Sequence, residues 1–390
     1  MIKIGIRHNL IYLIMLIIFN FCRKVELIIM DKILYFNSSL LLTLLMFLGE
    51  LISGFIIYKY EISFLPKKRD RYTSFMGIKL IEGNRDIKHP DSTHKIYILL
   101  FMASYFDFVE FIASTFYLGK IEYLSKTLEM RLSGFLTISS ALFFYYVLKF
   151  PIFKHQIFSL FIIFVCLIVI TVSEYFFQIF NQERNIKEFT IATVYIFLIH
   201  FFNSLLDSIE KYLLEFDFLN PFQALMIEGF YGTILTVIYS FIQNPFKEII
   251  DYFKNNSVYK FIILLVLLLI YLLLSGGRNA YRVATNKIYS PMAKTLADYF
   301  LNPLLIVYYY IFEEDFKNGK NKNINIVYFI INTILSIIID LSGCIYNEFF
   351  ILYCCDLEYN THRQVSFRAE TKENITTENN DDNSDKSNDS

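Results

Sequence analysis

The chain has 390 residues, of which 55% are hydrophobic, and a mean hydropathy of +0.44. That is too apolar for a soluble domain of ordinary composition. A formal net charge of −1 argues against a nucleic-acid partner, which a basic surface would recruit.

The apolar residues come in blocks of about 18–25, the length that crosses a hydrocarbon core about 30 Å thick. The blocks do not alternate polar and apolar residues, as strands of a membrane β-barrel would. The pattern predicts an all-α membrane protein with about ten transmembrane helices, the lipid bilayer being its first partner. The predicted spans lie near 9–22, 35–58, 96–119, 128–150, 155–178, 189–209, 222–242, 258–275, 288–312 and 324–353.

The first span is short and follows Lys3 and Arg7, as a signal peptide would. Asn20, Phe21, Cys22 and Arg23 offer no small-residue cleavage site, so a retained helix is expected. Met30 offers an alternative start that would remove it. The second span contains Gly49-Glu50 inside an apolar run. A carboxylate at bilayer depth costs roughly 2.5–3.5 kcal/mol even on insertion scales, so Glu50 marks either a cavity or a hydrogen bond to a neighbouring helix. Gly49 beside it permits close helix contact.

Residues 59–95 form the largest internal polar loop, and Lys67, Lys68, Arg69 and Arg71 lie in it. Basic residues flanking spans face the cytoplasm, so ten spans place both termini there. In the third span Asp107 and Glu110 are three apart on one helix face. Two carboxylates so close repel, an arrangement suited to proton coupling unless Arg131 or Lys294 pairs with one of them. Arg131 in the fourth span and Lys294 in the ninth are the basic residues expected to face a cavity. Asp207 and Lys211 in the sixth span, and Lys294 and Asp298 in the ninth, have the i, i+4 spacing of an ion pair.

The seventh span repeats the theme of the second, with Glu228-Gly229 inside an apolar run. Gly276-Gly277 before the ninth helix, with Pro291 and Pro303 in it, would allow bending. Asp340 is central in the last span, where a structural role is expected. Cys354 and Cys355 follow, either as palmitoylation sites or as ordinary thiols at a helix end. Residues 358–390 are rich in Asn, Asp, Glu, Ser and Thr, the composition of a disordered acidic tail. Of two sequons, Asn255-Asn256-Ser257 would be lumenal and Asn374-Ile375-Thr376 cytoplasmic.

Splitting after the fifth span gives two five-helix halves, 1–180 and 181–357, with an acidic-glycine pair in the second helix of each. Because five is odd, the second half inserts in the opposite orientation, the inverted repeat of many carriers. Arg131 and Lys294 likewise occupy the fourth helices of their halves. The five cysteines show neither metal-ligand spacing nor a disulfide framework, and the six histidines are scattered. With no zinc-ligand pair, nucleophile elbow or Asp-rich metal motif, neither an enzyme nor a cofactor or metal site is expected.

The motifs Met46-Phe47-Leu48-Gly49-Glu50, Leu128 to Gly134, Glu210-Lys211-Tyr212, Pro221 to Gly232, Thr285 to Asp298 and Gly343 to Asn347 occur in that order. Together they resemble the drug/metabolite transporter superfamily, specifically the nucleotide-sugar-transporter-like solute carrier family 35 and its F subgroup. The resemblance implies a ten-helix alternating-access carrier of the Golgi, ER or lysosome, with cytosolic termini and a homodimer as its candidate assembly. The chain departs from that pattern in its short first helix, in Glu129 where a neutral amide is typical, and in Pro303 within the ninth helix.

The expected site is therefore Glu50, Asp107, Glu110, Arg131, Glu228 and Lys294, with Gly49, Gly229, Gly276, Gly277 and Pro303 as contact or hinge positions. Four acids against two bases weaken a nucleotide-sugar assignment, because phosphates need Arg, Lys or helix N-termini. The balance favours a neutral, zwitterionic or cationic solute, or coupling to protons or an exchanged solute. A nucleotide-sugar transporter and a non-transporting interaction protein with a carrier fold remain as alternatives.

Overall fold

A computed structural model describes residues 2–4, 10–36, 38–64, 93–112, 128, 132–148, 152–177, 186–216, 219–242, 245–288, 294–297, 301–305, 322–355, 357–359, 361 and 364. The helices are α1 (Leu10–Lys32), α2 (Ser39–Phe64), α3 (Thr93–Ile112), α4 (Gly134–Tyr146), α5 (Lys154–Phe176), α6 (Ile186–Phe216), α7 (Pro221–Ser240), α8 (Pro245–Asn255), α9 (Val258–Ile288) and α10 (Lys322–Tyr346). Strands β1 (Ile2–Ile4) and β2 (Phe350–Leu352) pair antiparallel, Ile2 opposite Leu352. The start of the chain and the exit of α10 therefore lie at one end of the bundle.

Six of these helices, α2, α5, α6, α7, α9 and α10, contain stretches long and apolar enough to cross a bilayer. The protein is an integral, multi-pass, all-α membrane protein. Its burial pattern is inverted relative to a soluble fold. Phe161, Leu269, Leu273 and Ile262 are exposed, whereas Glu50, Asp207, Glu210 and Lys211 are almost fully buried. Lipid solvates the exposed apolar side chains, and only the bundle interior can solvate the charges.

Local chemistry sets several helix starts. The Asn220 side chain accepts from the Phe222 and Gln223 amides at 2.8 and 3.3 Å, and Pro221 fills the first helical position of α7. At the start of α5, the Gln156 side chain accepts from the Phe153 amide at 3.0 Å. Within the bundle, hydroxyls such as Thr43, Ser159 and Thr236 bond back to the carbonyl four residues earlier, so they enter an apolar helix without orphaned donors.

The helices pack closely where glycine removes the side chain. A Cβ on Gly229 would lie 2.5 Å from the Leu51 amide nitrogen, and one on Gly54 would lie 2.7 Å from that of Met226. Phe47 lies against Gly232. These contacts run in reverse order, so α2 and α7 cross antiparallel. Gly49 and Gly276 bring the backbones of α2 and α9 together, Ser53 Oγ donating to the Gly276 carbonyl at 3.1 Å.

Contacts fix other directions in the same way. Phe101 with Tyr231 and Phe108 with Tyr239 make α3 parallel to α7. Phe177 with Tyr328 and His155 with Glu348 make α5 antiparallel to α10. Tyr12 with Tyr281 and Phe19 with Gly277 make α1 antiparallel to α9.

The helix α8 is different: Phe246, Ile250 and Phe253 form an exposed stripe, while Ile249 and Tyr252 turn into the core formed with α2 and α9. At 11 residues it is too short to cross the bilayer.

Candidate functional site

Polar stripes on α6 and α9 define the site. On α6, Asn203, Asp207 and Glu210 recur at i, i+4 and i+7, and on α9, Asn279, Arg282 and Asn286 recur at i, i+3 and i+7. Each set occupies one helix face. Because α6, α7 and α9 pack together, these stripes meet inside the bundle.

Arg282 is the centre of this meeting. Its guanidinium lies 2.7 Å from Glu210, 3.7 Å from Glu228 and 3.8 Å from Asp207, and all four residues are buried. Asn286 donates to the other oxygen of Glu210 at 2.9 Å, so that carboxylate is held from both sides. Lys294 lies 2.5 Å from Asp207 and donates to Asn203 at 3.1 Å. Charges taken out of water are tolerated only with partners at this range.

Glu50 enters from α2 and accepts a hydrogen bond from Asn279. It sits beside Gly229, so the two acidic-glycine pairs predicted from sequence meet at the α2–α7 crossing. Asp107 on α3 is partly exposed, within electrostatic reach of Arg282, Arg278, Glu210 and Lys294. Ser104, one turn earlier on α3, donates to the Glu228 backbone carbonyl at 3.1 Å. Glu110 is also partly exposed, one turn beyond Asp107.

The structure thus brings Glu50, Asp107, Glu228 and Lys294 together. Arg131 lies outside the described residues, as do Asp298 and Pro291. Asp207 was expected to pair with Lys211 in its own helix; instead it pairs with Lys294, buried beside it. Asp298, the expected partner of Lys294, is outside the described residues, so that expectation stands untouched. Lys211, the expected partner of Asp207, donates to the carbonyls of Asn286 and Lys287 at 2.9 and 3.1 Å. There it neutralises the negative end of α9.

Gly276 and Gly277 lie inside α9 and not before the next helix. Gly276 meets α2, and Gly277 meets the ring of Phe19. Pro303 lies in a short helical turn at 302–305 and is partly exposed. Thr137 on α4 shares a 3.1 Å hydrogen bond with Thr295, and Asn302 donates to Ser133 at 3.1 Å, which ties the turns at 294–297 and 302–305 to the start of α4.

Arg278, Asn279, Arg282 and Asn286 were missed. The eighth span was ended at 275, where hydropathy falls, but the helix continues to Ile288. A weak signal was present: Ala280, Val283 and Ala284 continue apolar positions at helical spacing beside the polar stripe, and no proline interrupts 276–288. Among the described residues no His, Cys, Asp or Glu group could hold a metal ion. No protein-family model matches the chain, and no characterised protein sequence matches it.

Proposed function

We propose that the protein is a secondary transporter that moves a small organic metabolite across an endomembrane by alternating access. The observation that carries this reading is Arg282, buried among carboxylates of α6 and α7 inside an integral membrane protein. Ionisable groups at membrane depth are costly, and they mark solute and ion pathways. A membrane anchor has no use for such a cluster.

The reading extends to an inverted-repeat carrier resembling the drug/metabolite transporters and solute carrier family 35. Residues 1–180 and 181–357 would form its two five-helix repeats. The antiparallel crossing of α2 and α7, the second helix of each proposed half, supports this symmetry. So does the convergence of their acidic residues at one place. The helix α9 runs parallel to α2 by its Gly49–Gly276 and Glu50–Asn279 contacts. Lys95 with Tyr212 and Phe106 with Phe202 make α3 antiparallel to α6, and Phe135 with Phe197 and Phe143 with Phe201 make α6 parallel to α4. Gly134 against Leu167, with Phe144 and Leu148 packed near Leu160, makes α4 antiparallel to α5, so α10 shares the direction of α9. Two consecutive long helices of one direction support a further crossing between them, and hence ten. Both termini would then face the cytoplasm.

In this carrier the paired charges do two jobs. The Arg282–Glu210 and Lys294–Asp207 pairs link α9 and the 294–297 turn to α6 and would break and re-form as the halves rock. Glu50, Asp107 and Glu228 would supply the charge that binds solute or a coupling ion.

The test is uptake by purified protein in proteoliposomes of a radiolabelled panel of nucleotide sugars, nucleotides, amines and amino acids. We expect at least one solute to accumulate, and the Asp207→Asn variant to lose that accumulation. Uptake of none of them by well-folded protein would contradict the proposal.

A further inference from the structure

The last crossing helix carries polar side chains that stand apart from the Arg282 cluster. On α10, Tyr328, Asn332, Ser336 and Asp340 follow one another at i+4. Each step rises about 6 Å and drifts about 40° round the helix, so the four form one slanting stripe. Asn332, Ser336 and Asp340 are 1%, 4% and 8% exposed, while Ile330, Ile334, Ile337 and Leu341 on the opposite face are exposed.

A stripe that only tied α10 to its neighbours would have its hydrogen bonds made. At Tyr328 they are: its hydroxyl donates to Glu174 of α5, and Phe177 stacks on its ring with centroids 4.0 Å apart. Beyond Tyr328 they stop. Asn332 donates its amide to the Tyr328 carbonyl at 2.8 Å, but its Oδ1 is buried without a partner. Thr333 and Ser342 return their hydroxyls to the carbonyl four residues earlier, whereas the Ser336 hydroxyl is buried without a partner. Among the described residues no hydrogen bond or ion pair reaches the Asp340 carboxyl, whose titratable neighbour on α10 is Cys344, one turn on. Glu50, Asp207, Glu210 and Glu228 each have a cation or a donor. Asp340 has neither.

The elements packed round this gap supply no countercharge. On α5, Cys166 lies level with it, Glu174 lies at one end with Tyr328, and His155 at the other with Glu348. The helix α4, which meets Ile339 at Gly134, has no charged residue. The turn at 294–297 reaches the same core, with the Lys294 ammonium committed to Asp207. Buried polar groups left open in this way are the partners of bound water. Neighbours about 6 Å apart along the axis suit one bridging water, which spans two hydrogen bonds of about 2.8 Å each.

We infer that α10 holds a hydrated proton site, in which water bound along Asn332 and Ser336 exchanges a proton with Asp340. A hydronium gives its proton to a carboxylate oxygen of Asp340 and leaves as water, and the reverse step returns the proton to water. Carboxyl groups in such settings serve proton movement in membrane proteins. The site supplies the proposed carrier with a coupling ion away from its solute cluster, and it stands whether or not a solute is moved.

Two measurements on the full-length protein in lipid test this. Infrared spectra of the native protein minus those of Asp340→Asn isolate the carbonyl band of the Asp340 carboxylic acid. That band should be present at low pH, disappear as pH rises, and move to lower frequency in heavy water. Identical native and Asp340→Asn spectra would overturn the inference, as would a band that persists at every pH or keeps its frequency in heavy water. Should Asp340→Asn fail to fold, Asp340→Glu takes its place, because it moves the band and keeps the acid. Hydration is read separately, with the native cysteines replaced, by a membrane-impermeant methanethiosulfonate, which attacks thiolates in contact with water. Ser336→Cys should react, and Ile337→Cys on the outward face should not. A Ser336→Cys thiol as inert as that of Ile337→Cys would show a dry seam and overturn the inference.

Discussion

Arg282 of α9 and Glu210 of α6 form a 2.7 Å ion pair at almost complete burial, with Asn286 closing the other side of the carboxylate. Removing one partner leaves a charge with no solvent to receive it, which typically costs about 3–5 kcal/mol. Arg282→Ala should therefore lower the melting temperature sharply. Arg282→Ala combined with Glu210→Gln should recover part of the loss, because the orphaned anion is gone. Thermal unfolding of the purified variants checks this ordering, and an equal loss in both variants would contradict it.

Lys294 and Asp207 give a second, separable test. At 2.5 Å and buried, they should couple by about 1–3 kcal/mol in a double-mutant cycle of Lys294→Met and Asp207→Asn. Were Asp298 the true partner of Lys294, the cycle with Asp207 would return almost no coupling.

The α2–α7 crossing predicts an asymmetry between two glycines. A Cβ at Gly232 would strike the Phe47 ring, which can be shortened, whereas one at Gly229 would strike the Leu51 backbone and Glu50. Each alanine variant should lose about 1–3 kcal/mol by overpacking. Phe47→Leu should restore Gly232→Ala and leave Gly229→Ala unrescued, as read from melting temperatures.

The exposed apolar stripe of α8, between two membrane-crossing helices, fits a helix lying in the bilayer interface. The chain has no tryptophan, so Ile250→Trp gives a single tryptophan, excited selectively at the red edge where the 29 tyrosines do not absorb. In proteoliposomes its emission should be quenched by brominated lipid and shielded from aqueous acrylamide. The reverse pattern would place α8 in water.

Parts of this arrangement were legible in the sequence. Glu50 and Glu228 stand out because each interrupts an apolar run, and hydropathy exposes such a cost directly. Asp107 and Lys294 were legible for the same reason. Arg282 was not: a helix that turns from lipid to the protein interior loses its apolar character without ending. The polar stretch after Gly277 then resembles a loop. The partners of Asp207 and Lys211 were misassigned because i, i+4 spacing describes neighbours on an isolated helix. In the bundle, Asp207 meets charges on other elements, and Lys211 meets the carbonyls at the end of α9.

The most direct test of the central claim needs no knowledge of the solute. Asn203 borders the cluster as a neutral, partly buried residue that accepts from Lys294. With the native cysteines replaced, Asn203→Cys in sealed, oriented vesicles is treated with a membrane-impermeant methanethiosulfonate from one side or the other. Alternating access predicts modification from both sides, in separate experiments on the same preparation. Modification from one side only, however long the exposure, would contradict it.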